Sequence, residues 1–250
     1  MSDPQHDSQH DFITIGCADC EHRWTIETYC GDRTCYKCRR KRFARFYPGL
    51  VKKAQGWGRI YSLTLTLVNI PDRLFSRADV DRILNCFQRL LDRQPFNRII
   101  KSWIRVIHAT NTGNGWNLHL HTIYDGKYLP KKQIEKAWRE ITLGSFIVNI
   151  SFQTQPERAI RYIMSEFLGD PKPDKKTGKK KVRIRECDRE KYNEVFKRVR
   201  LVQCGGESGG LDLKRRCLCP ECGSPRIMPI WGSEWYMKNV PGSLEAWEFG

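Results

Sequence analysis

Two of the six histidines, His119 and His121, stand one residue apart in an apolar segment. Side chains alternate across a β-strand, so a strand here would place both imidazoles on one face, about 7 Å apart. Two imidazoles at that spacing on a rigid strand can chelate one divalent cation. A lone histidine is more often an ordinary surface or hydrogen-bonded residue, so a third histidine on the same face would favour the metal site.

His108 is the candidate for that third ligand. It lies in the preceding apolar segment, and residues 112–115, which include an Asn-Gly pair, separate the two segments. Asn-Gly is a strong signal for the turn of a β-hairpin. If the turn is centred between two residues, every cross-strand pair joins an even-numbered residue to an odd-numbered one, and His108 shares the face of His119 and His121. A three-residue turn would place it on the other face.

The chain holds eleven cysteines, five of them within residues 17–38. It has no apolar run long enough to span a membrane and no secretory signal, so we expect a cytoplasmic protein with no membrane partner. Clustered cysteines in a reducing compartment are more often metal ligands than disulfides. Two CxxC pairs, Cys17–Cys20 and Cys35–Cys38, can supply four thiolates to a tetrahedral zinc ion. Cys30 is surplus and could replace one of the four.

A second group of cysteines lies near the other end of the chain. Cys219 and Cys222 belong to a CPxCG sequence, which is typical of the sharp turn that directs two sulfurs at one zinc ion. Its partner pair is not obvious from the spacing. Cys204 and Cys217 are the nearest candidates, with Cys187 as the alternative, so a second structural zinc site on Cys204, Cys217, Cys219 and Cys222 is predicted.

Basic residues are concentrated in two segments of this chain, whose net charge is +16. Residues 33–59 contain ten Lys or Arg and no acid, and residues 171–200 contain thirteen basic and five acidic residues. A basic run is often only a solvated face. Here the two segments together carry more net positive charge than the whole chain, which favours a polyanionic partner such as nucleic acid. The predicted DNA contacts are Arg39, Arg40, Lys41, Arg42, Lys175, Lys176, Lys179, Lys180 and Lys181.

Hydrophobic periodicity predicts an α+β fold with a central antiparallel sheet and flanking helices. Strands are predicted at 61–68, 103–109, 116–124 and about 146–152, and helices at about 39–53, 78–93, 131–142 and from Pro156 towards Gly169. The predicted domains are an N-terminal zinc module with a basic helix (1–58), a catalytic core (59–169), a basic linker and helix (170–200) and a C-terminal zinc-ribbon-like region (201–250).

Three motifs in order resemble those of the HUH endonucleases, and most of all those of rolling-circle replication initiators. They are a Thr- and Leu-rich strand at residues 61–67 (YSLTLTL), the LHLH strand at 118–121, and a helix carrying Tyr162. The cysteine segment followed by RRKRFARF is similar to the zinc module that precedes the catalytic domain in many plasmid and phage initiators. The resemblance covers roughly residues 17–168.

This resemblance implies an HUH palm, related to ferredoxin-like sheets, that nicks and rejoins single-stranded DNA at a replication origin. Tyr162 would be the nucleophile, and the histidines would hold Mg²⁺ or Mn²⁺. Two positions depart from the family pattern. Ser165 stands where the family usually has a lysine, and Arg158, one turn before Tyr162, could supply that positive charge. His108 stands where relatives often have glutamate. Tyr192 is a rival nucleophile outside the expected order.

Two other functions compete with the initiator. A transposase or relaxase of the same superfamily would share the chemistry and differ in its biology. A zinc-dependent nucleic-acid-binding regulator without catalysis would explain the charge and the cysteines, but not three histidines on one strand face. The sequence contains no GxxxxGK[ST] motif, so an initiator of this kind would need a host helicase as a partner for unwinding.

Overall fold

The computed structural model describes residues 10–168, 183–210 and 218–230 of the 250-residue chain. These residues divide into two compact units. The smaller unit contains residues 10–38 and 218–230, and the larger unit contains residues 39–168 and 183–210. The predicted linker at 170–182 lies outside the described residues.

The described residues form eight strands and six α-helices. The strands are β1 (Phe12–Cys17), β2 (Arg23–Glu27), β3 (Ile60–Thr66), β4 (Ile100–Asn111), β5 (Trp116–Gly126), β6 (Val148–Gln153), β7 (Val202–Gly206) and β8 (Ile227–Ile230). The helices are α1 (Tyr36–Gln55), α2 (Arg77–Asp92), α3 (Phe96–Ile99), α4 (Lys131–Thr142), α5 (Pro156–Ile163) and α6 (Arg189–Val195). Short 3₁₀ segments follow α5 at Ser165–Leu168 and precede α6 at Glu186–Asp188.

The smaller unit is built on a three-stranded antiparallel sheet in the order β2-β1-β8. β1 is the central strand, and its register with β8 joins Cys17 to Ile227 and Thr14 to Ile230. A strand from near the end of the described chain therefore completes a sheet that begins at residue 12. The N-terminal cysteines at residues 17–38 thus lie in one unit with Cys219 and Cys222, whereas Cys204 belongs to the larger unit.

The larger unit contains a five-stranded sheet in the order β6-β3-β5-β4-β7, with every neighbouring pair antiparallel. β3 and β5 are interior strands, and polar and apolar side chains alternate in the middle of each. Leu63 and Leu65 face the main apolar core, whereas Ser62 and Thr64 face the other side of the sheet. A half-buried alternation of this kind is typical of an antiparallel sheet whose two faces have different partners.

Two apolar clusters cover the two faces of this sheet. The main cluster packs α2, α4 and α6 against one face, with the large side chains Trp116, Trp138 and Phe87 fully buried in it. The second cluster packs α1 and α5 against the other face, where Ile160 of α5 and Leu50 of α1 are completely buried. The catalytic residues predicted from the sequence belong to this second face.

Local sequence explains where the helices begin and end. The Asp79 carboxylate accepts a hydrogen bond of 2.9 Å from the backbone N–H of Ser76, which caps the start of α2. α4 ends at Leu143 in the left-handed conformation, followed by Gly144. Pro156 occupies the first position of α5, as proline commonly does.

The architecture confirms the prediction of an α+β fold with antiparallel sheets. The helix predicted over 131–142 coincides with α4, and the predicted hairpin is formed by β4 and β5. The helix predicted from Pro156 towards Gly169 is wrong in its second half, because α5 ends at Ile163 and a 3₁₀ turn follows. Within the described residues, no helix combines the length and the apolar character needed to cross a bilayer.

Candidate metal and nucleophile site

The hairpin of β4 and β5 brings three histidines together on one face of the larger sheet. Residues 112–115 form the turn, and the register pairs His108 directly with His119. His121 lies two residues farther along β5, on the same face. One ring nitrogen from each of the three histidines lies within 4.8 Å of the others. Donor atoms this close can bind a single divalent ion with little movement of the strands.

Hydrogen bonds orient two of the rings. His119 Nδ1 lies 3.3 Å from the carbonyl oxygen of Asn117, and His121 Nδ1 lies 3.1 Å from Oγ1 of Thr64. A carbonyl can only accept, so Nδ1 of His119 carries the proton and Nε2 keeps its lone pair. Thr64 can accept from His121 in the same way. Metal-binding histidines commonly have such a partner on their second nitrogen.

The surroundings of His121 keep its imidazole uncharged. Burial, which is the largest cause, and the neighbouring His108 and His119 together lower the pKa of His121 to about 2. An imidazole binds a metal ion only in its neutral form. The donor set therefore fits a divalent cation, and the sequence prediction of a three-histidine arrangement agrees with the geometry of β4 and β5.

Tyr162 lies next to the histidines. Its ring centroid is 5.4 Å from that of His121, and the two rings meet edge to face. Ala159, Ile160 and Ile163 anchor the opposite side of α5 in the second apolar cluster, which leaves the Tyr162 side chain 59% exposed. Its phenol is thus accessible to a large substrate while it remains beside the candidate metal ligands.

A polar depression adjoins Tyr162 on the same face of the sheet. It has a volume of about 330 Å³ and lies over β3, β6 and the start of α5. Its lining residues are Ser62, Thr64, Asn149, Ser151, Gln153, Arg158, Ala159 and Tyr162. Arg158 is the one charged residue in this lining, and it stands one helical turn before Tyr162, as the sequence predicted. Ser165, in contrast, lies beyond the end of α5.

Tyr192, the rival nucleophile, occupies a different environment. It is 6% exposed, its ring stacks on Trp116 at 6.2 Å, and it belongs to the main apolar cluster on the opposite face of the sheet from the histidines. A phenol packed in this way is shielded from a polymeric substrate. Of the two tyrosines, Tyr162 is the one that the fold places beside the metal ligands.

The cysteines group differently from the predicted sets. Cys17 and Cys20 do not join Cys35 and Cys38. The sulfur of Cys17 lies 3.6 Å from that of Cys222, and the sulfur of Cys20 lies 3.5 Å from that of Cys219. These four cysteines form one cluster in the smaller unit. Burial raises the pKa of Cys17, but backbone N–H groups, including that of Asp19, outweigh this effect and lower it to about 7.

A second cluster joins His10 to Cys30, Cys35 and Cys38. His10 Nε2 lies 3.2 Å from the sulfur of Cys35 and 4.0 Å from that of Cys38, and the sulfurs of Cys30 and Cys38 are 3.6 Å apart. Cys30 is therefore a member of the cluster rather than a surplus thiol. Sequence reasoning missed His10, because no spacing motif connects it to cysteines twenty or more residues away.

Cys204 does not belong to a metal cluster among the described residues, which corrects its prediction as a zinc ligand. It lies on β7 against the second apolar cluster, and burial raises the pKa of its thiol to about 11. Cys187 is exposed and is likewise absent from the clusters of the described chain. Cys217 lies outside the described residues. Two members of the four-cysteine cluster, Cys17 and Cys20, are thus supplied by the N-terminal segment.

The predicted DNA contacts are only partly described. Arg39, Arg40, Lys41 and Arg42 lie in the first half of α1, where Arg40 is exposed and Arg42 is buried. A buried guanidinium is not on an outer surface, so Arg42 does not fit the expected exposed basic run. The remaining predicted contacts, Lys175, Lys176, Lys179, Lys180 and Lys181, lie outside the described residues.

Comparison with known proteins adds little to this geometry. No protein-family model matches the chain, and no curated protein matches it. The crystal structure of the hypothetical protein ORF119 from Sulfolobus islandicus rod-shaped virus 1 aligns with 47% of this chain and 90% of its own, at 13% identity and a TM-score of 0.30. A TM-score this low does not establish a shared fold.

Proposed function

We propose that this protein is a replication initiator of the HUH endonuclease type, which nicks and rejoins single-stranded DNA at an origin. The observation that carries the proposal is the position of Tyr162, whose ring lies 5.4 Å from that of His121 within reach of a three-histidine cluster. The antiparallel sheet beneath them supports an HUH palm, in which two strands present the histidines and a helix presents the nucleophile.

The reaction that fits these residues is a transesterification. The Tyr162 hydroxyl oxygen attacks the phosphorus of one phosphodiester, and the bond between phosphorus and the 3′ oxygen breaks. The phenol loses its proton, and the leaving 3′ oxygen takes one up. The products are a 5′-phosphotyrosine and a free 3′-hydroxyl, which can later reverse the step without an external energy source.

His108, His119 and His121 would hold Mg²⁺ or Mn²⁺. When bound, such an ion would act as a Lewis acid: it would bind a phosphate oxygen and offset the negative charge that develops there during the transfer. Thr64 and the Asn117 carbonyl orient two of the imidazoles so that Nε2 of each is the donor.

Arg158 and the polar depression give the substrate a place beside the nucleophile. A guanidinium one turn from Tyr162 can pair with a phosphate oxygen, the role that the family gives to the lysine that Ser165 replaces here. Asn149, Ser151 and Gln153 offer neutral donors and acceptors, which suit a base or sugar better than a second phosphate. The DNA strand would thus cross β3 and β6 on its way to Tyr162.

Two alternatives remain distinct from this proposal. A transposase or relaxase of the same superfamily would use the same residues, and only its DNA substrates would separate it from an initiator. A non-catalytic regulator would need the basic segments and the cysteines, but it gives no reason for an exposed tyrosine beside three histidines. The side-chain arrangement therefore favours the enzyme.

A covalent-trapping assay tests the reaction directly. The full chain is incubated with Mg²⁺ or Mn²⁺ and an end-labelled pool of random single-stranded oligonucleotides, and denaturing gels detect protein that carries DNA. We expect a metal-dependent adduct, with peptide mapping placing the nucleotide on Tyr162. Tyr192→Phe is the matched control and should still form the adduct.

Two outcomes would refute the proposal. DNA attached to Tyr192 would move the nucleophile to the other face of the sheet. Absence of an adduct with either metal, from protein that still binds single-stranded DNA, would leave the non-catalytic regulator as the better explanation.

A further inference from the structure

The smaller unit contains two turns that repeat each other. In the first, the Cys17 N–H donates to the carbonyl of His22, and the Cys17 carbonyl accepts from the N–H of Glu21, which has a φ of 56°. In the second, Cys219 makes the same two bonds with Ser224 and Gly223, whose φ is 72°. Both turns hold a CxxC pair in the same conformation. A residue with a left-handed backbone conformation, directly after the second cysteine, closes each turn.

These two turns contact each other beside the paired ends of β1 and β8. Cys17 contacts Cys222 and Cys20 contacts Cys219, so each pair meets the other in antiparallel order. The N–H of Ala18 donates to the carbonyl of Arg226 at 2.9 Å, and the Arg226 guanidinium pairs with Asp19 at 2.6 Å. Two similar turns that present four sulfurs to one point are the usual construction of a structural zinc site.

The distances fit zinc and do not fit disulfides. Two thiolates on a tetrahedral zinc ion, each about 2.3 Å from the metal, lie about 3.8 Å apart. The sulfur pairs of this cluster lie at 3.5 and 3.6 Å. A disulfide would bring them to about 2.05 Å, and these cysteines are free. A zinc ion therefore fits between them with little rearrangement.

The second cluster has a different donor set. The Nδ1–H of His10 donates to the carbonyl of Thr28 at 2.9 Å, which leaves the lone pair on Nε2, the atom 3.2 Å from the Cys35 sulfur. Cys35 precedes α1 and Cys38 lies in its first turn, while the backbone N–H of Cys30 donates to the Cys38 sulfur. One imidazole and three thiolates complete a tetrahedron without any further ligand.

We infer that the smaller unit binds two structural zinc ions, one on Cys17, Cys20, Cys219 and Cys222 and the other on His10, Cys30, Cys35 and Cys38. The first ion joins two CxxC pairs from distant parts of the chain, and the second uses a histidine outside any CxxC motif. The inference is independent of the proposed nicking activity, since none of these residues belongs to the larger unit.

Zinc counting in paired variants tests the ligand sets. The full chain carries His119→Ala and His121→Ala so that the larger unit does not add a third ion, and elemental analysis follows purification without chelator. We expect about two zinc ions per chain, and about one after Cys17→Ser, Cys222→Ser or both together. Cys17→Ser combined with Cys35→Ser should leave none, because the two cysteines belong to different sites. A Cys17→Ser, Cys35→Ser variant that still holds one zinc ion would overturn the assignment.

Cadmium NMR gives a test that needs no cysteine variant and so does not depend on their folding. The same background chain, loaded with ¹¹³Cd, should show two resonances, one typical of four sulfurs and one typical of three sulfurs and a nitrogen. His10→Cys should move only the second resonance to the four-sulfur range, and His22→Ala should move neither. A single resonance, or a His10→Cys variant with an unchanged spectrum, would contradict the inference.

Discussion

Tyr162 lies on the short helix α5, whose opposite side packs in the second apolar cluster. Ile160 and Ile163 are completely buried, so α5 cannot rotate to hide the phenol without exposing them. The tyrosine is thereby held at the surface, 5.4 Å from the His121 ring. The proposed reaction needs a nucleophile, oriented metal ligands and one cation. A single substitution can remove each of these separately.

Tyr162→Phe removes the hydroxyl of the proposed nucleophile and leaves the ring contact with His121 in place. We expect no covalent adduct and no nicking, with affinity for single-stranded DNA and for Mn²⁺ within about twofold of the parent, because neither depends on the hydroxyl. Fluorescence anisotropy and gel-based trapping measure the two properties. Retention of the adduct in this variant would show that another residue attacks.

Thr64→Val removes the hydrogen-bond partner of His121 Nδ1 at nearly constant volume. Loss of such a partner typically costs 10–100-fold in metal affinity or activity, so the Mn²⁺ concentration for half-maximal nicking should rise by about that factor. Thr122→Val is the matched control, since Thr122 is buried on the opposite face of β5. Equal effects of the two substitutions would mean that Thr64 acts only through packing.

Arg158→Ala tests the cation beside the nucleophile. We expect the nicking rate at saturating DNA to fall about 100-fold, as for other single donors to a developing oxyanion, with partial rescue by Arg158→Lys. Arg161→Ala serves as the control, because Arg161 is an exposed cation on the same helix outside the polar depression. Similar losses from both variants would indicate general electrostatics instead of a specific contact.

Elements rather than single residues shape the polar depression. β3 and β6 pair so that Ser62 lies opposite Ser151 and Thr64 lies opposite Asn149, and Gln153 donates to both serine hydroxyls. This internal network keeps the floor of the depression rigid while Asn149 stays exposed at the edge strand. A rigid floor with an exposed amide is suited to discriminate between bases.

Asn149→Ala should change which sequences are cut more than how fast they are cut. An amide that bonds a base edge contributes about 1–3 kcal/mol of discrimination, so the preference for one base near the nick should fall by roughly 5-fold or more. Sequencing of adducts from a random oligonucleotide pool measures the preference, with Asn97→Ala on α3 as a control. An unchanged preference would mean that the depression does not read bases.

Local pattern was sufficient to predict the strands that carry the histidines, because alternation and an Asn-Gly turn are properties of neighbouring residues. The same local pattern does not show which CxxC pairs lie together in the folded protein. Cys17–Cys20 is nearer in sequence to Cys35–Cys38, yet the fold brings it to Cys219–Cys222 through the pairing of β1 with β8. His10 was missed for the same reason, since its partners are fixed by tertiary structure alone.

For the whole molecule, we expect the basic residues of segment 171–200, more than the net charge of +16, to govern the affinity for nucleic acid. Replacing Lys179, Lys180 and Lys181 with Gln should reduce the slope of log affinity against log salt by about 2, at about 0.7 per phosphate contact on single strands. Replacing Lys131, Lys132 and Lys136 of α4 removes the same charge and should change the slope less. Equal changes would mean that net charge, not this segment, sets the affinity.

The pairing of Cys20 with Cys219 across 199 positions also has a consequence for biosynthesis. A ribosome that adds about 5–20 residues per second needs roughly 10–40 s to reach the second CxxC pair after the first has been made. Throughout that interval β1 lacks its β8 neighbour, and the Cys17–Cys20 turn lacks its two sulfur partners. The Cys17 and Cys20 thiols of the nascent chain therefore stay open to oxidation until Cys219 and Cys222 have been made. The smaller unit is completed last, because β7, the last described strand of the larger unit, ends at Gly206.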